Sequence, residues 1–62
     1  MKYTLRQQLE YMLADLVGRQ KQLDKNVKEY ADAGNYSDAS INQIKRDTIT
    51  LVISRIDEIL NS

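Results

Sequence analysis

Large apolar residues recur every seven positions through the first half of the chain, and this spacing limits the fold more than any other feature of the sequence. One series contains Leu9, Leu16, Leu23 and Tyr30. A second series interleaves with it and contains Leu13, Gln20 and Val27, with Leu5 and Met12 beside it. Alternating steps of three and four residues place side chains along one face of an α-helix. The pattern therefore predicts a long amphipathic helix of the coiled-coil type.

Both ends of this helix carry recognisable signals. Thr4 followed by Gln7 is typical of a capping box, which satisfies free backbone N–H groups at a helix start. Gly34 suits the left-handed conformation that ends many helices. We therefore predict a helix from about residue 4 to residue 33. A break at Gly18 is the alternative, because glycine inside a helix costs about 1 kcal/mol relative to alanine, and it would give three shorter helices.

The second half of the chain predicts another helix, from about residue 37 to residue 60. Ser37 can cap its start, with Asp38 at the positive helix end, although Ser40 followed by Gln43 is a competing start signal. The isoleucines of this half lower the intrinsic helix propensity, but no alternation of period two favours a strand. The predicted apolar face contains Ile41, Ile44, Thr48, Leu51, Val52, Ile56 and Ile59, widened by Ile49, Ile53 and Leu60.

A short turn over residues 34–36 joins the two helices, so the predicted fold is all-α, an antiparallel two-helix hairpin forming a single domain over residues 1–62. The segment Gly34-x-Tyr36-x-x-Ala39 is similar to the turn of a tetratricopeptide repeat, in which the alanine lets the second helix approach closely. Without a second copy of the motif, the segment indicates a hairpin turn and not a solenoid.

We do not expect the hairpin to bury all of its apolar surface within one chain. The apolar arc spans about 140° on the first helix and about 200° on the second, which is wider than a two-helix contact needs. The first helix is also longer, about 44 Å against about 34 Å, so Tyr3, Leu5 and part of Leu9 overhang. We therefore expect a homodimer that forms a four-helix bundle. The residues expected to mediate self-association are Leu5, Leu9, Leu13, Leu16, Leu23, Val27, Ile44, Leu51, Val52, Ile56 and Ile59.

Gln20 is a polar residue in an otherwise apolar seam of the first helix. We expect it to pair with Thr48, with Arg55, or with Gln20 of a second chain. A polar layer of this kind fixes the register of paired helices at some cost in stability.

The composition argues against catalysis. The chain contains no Cys and no His, which removes thiol nucleophiles, disulfides, the commonest metal ligand and the commonest general base. The adjacent carboxylates Asp57 and Glu58 point about 100° apart on a helix, and the sequence has no glycine-rich phosphate loop. We predict a non-enzymatic protein with no cofactor and no metal. Because we find neither a membrane-spanning segment nor a secretory signal, we expect a cytoplasmic protein with no membrane partner.

The outward side of the first helix is a candidate partner-binding surface. Tyr11, Ala14 and Gly18 fall on this side, and the overhanging Tyr3 lies near its start. An exposed aromatic residue beside small residues forms a smooth surface on which another helix can dock. The alternative is an isolated exposed tyrosine, which needs no functional explanation.

Positive charge is concentrated in the middle of the first helix, at Arg19, Lys21, Lys25 and Lys28. A two-fold dimer would double this strip, which makes it a candidate nucleic-acid site. In length and inferred architecture the chain resembles the Rop family of small plasmid-encoded hairpins, which dimerise and bind RNA. This resemblance is one of shape and carries over no residue. Against nucleic-acid binding, the 9 basic residues of the chain balance 9 acidic ones, and Asp24 can pair with Lys28.

These observations predict a small protein–protein interaction module. We expect a homodimeric regulator, adaptor or inhibitor of a larger, unidentified protein, of the kind that phages, plasmids and bacteria encode. Two alternatives stay open: a regulator that binds RNA or DNA through the basic strip, and a structural assembly subunit or a dimer that sequesters a small ligand.

Overall fold

The computed structural model describes residues 2–62, which form two α-helices in an antiparallel hairpin. Helix α1 runs over Leu5–Asp32 and helix α2 over Tyr36–Leu60. The predicted all-α hairpin is confirmed. Helix α1 continues through Gly18 without interruption, so the three-helix alternative is wrong. Neither helix of the described part is long and apolar enough to cross a membrane.

Helix α1 begins and ends as the sequence predicts. The Gln7 backbone N–H donates to Thr4 Oγ1 at 3.1 Å, and the Thr4 backbone N–H donates to Gln7 Oε1 at 2.9 Å, which completes the capping box. At the other end Gly34 adopts φ 77°, the left-handed conformation that glycine tolerates. The backbone N–H of Asn35 donates to the Tyr30 carbonyl at 2.8 Å, and that of Gly34 donates to the Ala31 carbonyl at 3.0 Å. This pair of bonds defines a Schellman motif.

Helix α2 begins one residue earlier than predicted, because its N-cap is Asn35 and not Ser37. Asn35 Oδ1 accepts the backbone N–H of Asp38 at 3.4 Å, and Asn35 Nδ2 donates to the Asp38 carboxylate at 2.6 Å. Asn35 therefore serves both the Schellman motif of α1 and the cap of α2. The predicted turn over 34–36 is correspondingly displaced, and Tyr36 lies inside the helix. Asparagine caps helices as well as serine does, so local sequence preference alone could not separate the two.

The two helices meet along positions that alternate in steps of three and four, most of which are half-buried. On α1 these positions are Leu9, Leu13, Leu16, Gln20, Leu23 and Val27. On α2 they are Ala39, Asn42, Arg46, Ile49, Ile53, Ile56 and Leu60. Within residues 2–62 only Ala39 and Ile56 are buried, at 8% and 5% exposure. The contact is therefore a thin seam between two helices and not an enclosed core.

The face that α2 turns toward α1 differs from the predicted one. Ile56 lies in the seam as expected, but Ile49, Ile53 and Leu60 pack there as well, although they were predicted only at its margin. The rest of the predicted face is exposed: Ile41, Ile44, Thr48, Leu51, Val52 and Ile59. The tight turn explains this choice, because it places Ala39 as the first inward position of α2, where its small side chain permits close approach. Steps of three and four from Ala39 then select the Ile49, Ile53 and Ile56 stripe.

Two polar contacts across the seam fix its register. Gln20 Nε2 donates to Thr50 Oγ1 at 2.8 Å. One helical turn away, Arg46 Nε pairs with the Asp24 carboxylate. The predicted partners of Gln20 within the chain, Thr48 and Arg55, are both exposed and lie elsewhere on α2.

The same register leaves the start of α1 projecting beyond the end of α2, as predicted. Near this end Arg6 Nη1 donates to the Leu60 carbonyl at 3.1 Å. Beyond that contact, Tyr3 and Leu5 are exposed, whereas Leu9 is half-buried.

Candidate interaction surfaces

One side of the hairpin exposes several large aliphatic side chains, here called the apolar face. At about 100° per residue, its α2 members follow the flank and outer edge of that helix, and its α1 members lie on the adjoining flank near the overhang. The apolar face consists of Leu5, Met12, Ile41, Ile44, Leu51, Val52 and Ile59. Their exposed fractions range from 39% at Val52 to 72% at Leu5. Large apolar side chains exposed together on one side of a protein often mark an interaction site.

A groove runs along the apolar face between the two helices. Leu23 and Ile49 contribute to it from seam positions, and Ile44 and Thr48 from the exposed flank of α2. The remaining lining residues are Arg19, Gln22 and Lys45. The groove has a volume of about 510 Å³, which lies in the range of sites that accept small ligands or several inserted side chains.

The structure divides the residues predicted to mediate self-association into two groups. Six of them form the seam within the chain: Leu9, Leu13, Leu16, Leu23, Val27 and Ile56. Five are exposed and belong to the apolar face: Leu5, Ile44, Leu51, Val52 and Ile59. Sequence reasoning did not assign Met12 and Ile41 to self-association, although both repeat at helical spacing with members of the apolar face.

A second surface lies on the outer side of α1. The rings of Tyr3 and Tyr11 meet edge to face, with centroids 5.1 Å apart and an interplanar angle of 66°. The Tyr3 carbonyl accepts a bond from Gln8 Nε2 at 3.2 Å, which holds the extended segment against the helix. Ala14 and Gly18 follow on the same side of α1, and both are exposed. We call Tyr3, Tyr11, Ala14 and Gly18 the aromatic strip.

The small residues of the aromatic strip leave room for a partner. A Cβ built on Gly18 would meet nothing within 4 Å, so the surface there is open. The structure thus brings all four predicted partner-binding residues to one side of α1. Their spacing predicted the placement of Tyr11, Ala14 and Gly18, whereas the ring contact of Tyr3 depends on how the segment before the helix folds back.

The basic residues predicted as a possible nucleic-acid site do not form one surface. Arg19 lines the groove on the apolar face and pairs with Asp15 at 3.0 Å. Lys21 lies about 200° around the helix from Arg19. Lys25 pairs with Glu29 at 3.9 Å. The predicted partner of Lys28, Asp24, pairs instead with Arg46.

Three lysines, Lys21, Lys25 and Lys28, therefore remain on one outer face of α1, and we call them the basic strip. Within the described part of the chain, Lys21 and Lys28 make no ion pair. Three carboxylates lie on the same stretch of α1, at Asp24, Glu29 and Asp32. The local charge balance of this stretch is therefore close to neutral.

Among residues 2–62 no three potential metal ligands gather in one place. No protein-family model matches the chain, and comparisons with curated proteins and with solved structures give no significant match.

Proposed function

We propose that the protein is a non-enzymatic, cytoplasmic interaction module that regulates, adapts or inhibits a larger protein by binding it through the aromatic strip. The observation that carries this proposal is the edge-to-face pair of solvent-exposed tyrosines beside two small residues on the outer side of α1. Tyrosine is enriched where protein interfaces concentrate their binding energy, because its ring supplies area and its hydroxyl stays compatible with water. Tyr3 and Tyr11 restrict each other's side-chain motion. This contact reduces the conformational entropy that the two tyrosines lose when a partner binds.

The shape of the aromatic strip favours a helix or a flat protein surface as its partner. Ala14 and Gly18 lie one and two helical turns from Tyr11 and project almost nothing above the backbone. A partner backbone can approach closely at such small residues while the two tyrosines contact its side chains. The aromatic strip shares no residue with the apolar face.

The test compares two tyrosines of similar exposure. Tyr11 is 61% exposed within the aromatic strip, and Tyr36 is 69% exposed outside it. Tagged wild-type chain, Tyr11→Ala, Gly18→Arg and the matched control Tyr36→Ala would be incubated with lysate of the native host, after circular dichroism has verified equal helicity. We expect a stoichiometric protein band that Tyr11→Ala and Gly18→Arg lose and Tyr36→Ala retains. A band that survives all three substitutions contradicts the proposal.

Binding of RNA or DNA is the second candidate function. The observation in its favour is that Lys21 and Lys28 make no ion pair within the described residues and so have charge available for phosphates. The balanced charge of the whole chain and the separation of Arg19 from the other three cations weigh against it. Nuclease-sensitive material in the same eluate, lost in Lys21→Glu with Lys25→Glu, would favour this function over the first.

A further inference from the structure

We infer that the apolar face is the contact surface for a second copy of this chain, and that the two hairpins form a closed four-helix bundle. This inference goes beyond the proposed function, because it concerns a different set of residues and stands on different observations. It assigns the partner contact to the outer flank of α2 and the groove beside it.

The first argument is the thickness of the hairpin. The molecule measures 47 × 24 × 12 Å, and its smallest dimension equals the diameter of one helix with its side chains. Stable domains consist of at least two packed layers, because each element must bury its apolar stripe against another. One copy of this chain is a single layer. A chain of 62 residues usually needs stabilisation beyond its own core. Because this chain has no Cys for disulfides, association with a second copy is a source of that stabilisation.

The second argument is the area of the exposed surface. The chain exposes 4936 Å². A compact monomer of 7.2 kDa is expected to expose about 4,100 Å². The excess of about 800 Å² matches the area that each partner contributes to a protein–protein interface of standard size. The surplus surface is therefore what one dimer contact would cover.

The third argument is the distribution of polarity around the hairpin. The flank opposite the apolar face carries the cross-helix contacts of Gln20 with Thr50 and of Asp24 with Arg46. That flank therefore presents paired polar side chains. The apolar face instead presents aliphatic side chains, and an equally apolar surface is the complement that buries them. A second copy of the chain carries the same apolar face. A two-fold contact between the two copies therefore buries both apolar faces against each other.

Two arginines lie beside or among the members of the apolar face, and each is paired with a carboxylate. Arg19 pairs with Asp15 at 3.0 Å, and Arg55 pairs with Glu58 at 3.5 Å, each within its own helix. Their charges are thus balanced before two copies meet, which reduces the repulsion between the arginines of the two copies. Lys45, at the groove, can lay its aliphatic stem along the contact and keep its ammonium group in water.

The first measurement is molar mass by light scattering on the full chain and two variants. We expect the wild type at twice the 7.2 kDa of one chain. Ile44→Glu combined with Val52→Glu places two charges on the apolar face at positions already exposed in the hairpin, and should reduce the mass by half. Tyr36→Glu adds a charge at an exposed site off the apolar face and should leave the mass unchanged. A wild-type mass of one chain overturns the inference, as does a dimer that the double variant leaves intact.

A second measurement does not depend on the double variant folding. The chain has no native cysteine, so a single introduced cysteine reports one position. With a short bis-maleimide, Thr48→Cys in the middle of the apolar face should crosslink into a dimer, whereas Lys25→Cys on the outer side of α1 should stay monomeric. Equal crosslinking at both positions, or at Lys25→Cys alone, overturns the inference. Loss of partner capture in Tyr11→Ala with an unchanged dimer mass separates this inference from the proposed function.

Discussion

Gln20 of α1 donates a hydrogen bond to Thr50 of α2, with 2.8 Å between Nε2 and Oγ1. The Thr50 hydroxyl in turn donates to the Arg46 carbonyl at 2.9 Å, and the Arg46 guanidinium pairs with Asp24 on α1. Two contacts one turn apart on both helices are compatible with one antiparallel register only. A slip of one residue on either helix would separate both polar pairs and turn apolar side chains out of the seam.

Replacing Gln20 with leucine should raise the thermal stability of the hairpin. The hydrogen bond to Thr50 lies in a partly exposed place, where its net contribution is about 1 kcal/mol. A leucine in the half-buried seam next to Leu16 and Leu23 would contribute about 1–2 kcal/mol from burial. We therefore expect the melting temperature of Gln20→Leu to rise by a few degrees in a circular dichroism melt. A fall in the melting temperature would show that the bond contributes more than the seam gains.

The ion pair between Asp24 and Arg46 should show measurable coupling. The two side chains are 50% and 36% exposed, so solvent screens the attraction, and we expect a coupling free energy of about 0.5–1 kcal/mol. A double-mutant cycle with Asp24→Asn and Arg46→Gln, followed by urea unfolding, measures it.

The control for this cycle is the exposed pair of Lys25 and Glu29, separated by 3.9 Å within α1. Its coupling should be about 0.3 kcal/mol. Equal coupling in both cycles would mean that the cross-helix pair does not help to set the register.

The two glycines should respond to alanine in opposite directions. Gly34 has φ 77°, which costs an alanine about 1–2 kcal/mol, so Gly34→Ala should lower the melting temperature by roughly 4–15 °C. Gly18 lies inside α1 with open space around it, so Gly18→Ala should stabilise the protein by up to about 1 kcal/mol. Thermal melts of both variants side by side check the signs. A destabilised Gly18→Ala would indicate a close contact at the aromatic strip that a single chain does not make.

Nucleic-acid binding should be weak and should not depend on Arg19. Carboxylates alternate with the basic strip along α1, and Arg19 lies on the groove side of the helix. We expect no retardation of a labelled RNA or DNA pool at moderate salt in a gel-shift assay. Retardation that falls steeply with salt and disappears in Lys21→Glu with Lys25→Glu would contradict this expectation.

Periodicity and helix end signals predict most of this fold. The capping box at Thr4 and Gln7, the left-handed Gly34 and the continuous α1 follow from local chemistry, which a sequence displays directly. The start of α2 was harder to predict, because Asn35, Ser37 and Ser40 are all competent caps and the choice depends on how tightly the preceding helix turns.

The inward face of α2 could not be predicted from periodicity. Two adjacent stripes of α2 are apolar, one through Ile49, Ile53 and Ile56 and the other through Ile41, Val52 and Ile59. Both satisfy the helical repeat. The choice between them is made by the tight turn and by the size of Ala39, which are tertiary effects. The ring contact between Tyr3 and Tyr11 could not be predicted from periodicity either. Tyr3 lies before the first helix, where the helical repeat does not determine the position of a side chain.

The measurement that tests the central claim most directly is the thermal melt of the unmodified chain at two concentrations 100-fold apart. If the apolar face is covered by a second copy, folding is coupled to association, and the free energy of unfolding per mole of dimer is about 2.7 kcal/mol higher in the more concentrated sample. We predict a rise in melting temperature of about 10 °C, with the helical signal unchanged below the transition. The same melting temperature at both concentrations would show that the hairpin is stable as a single chain, and would contradict the account.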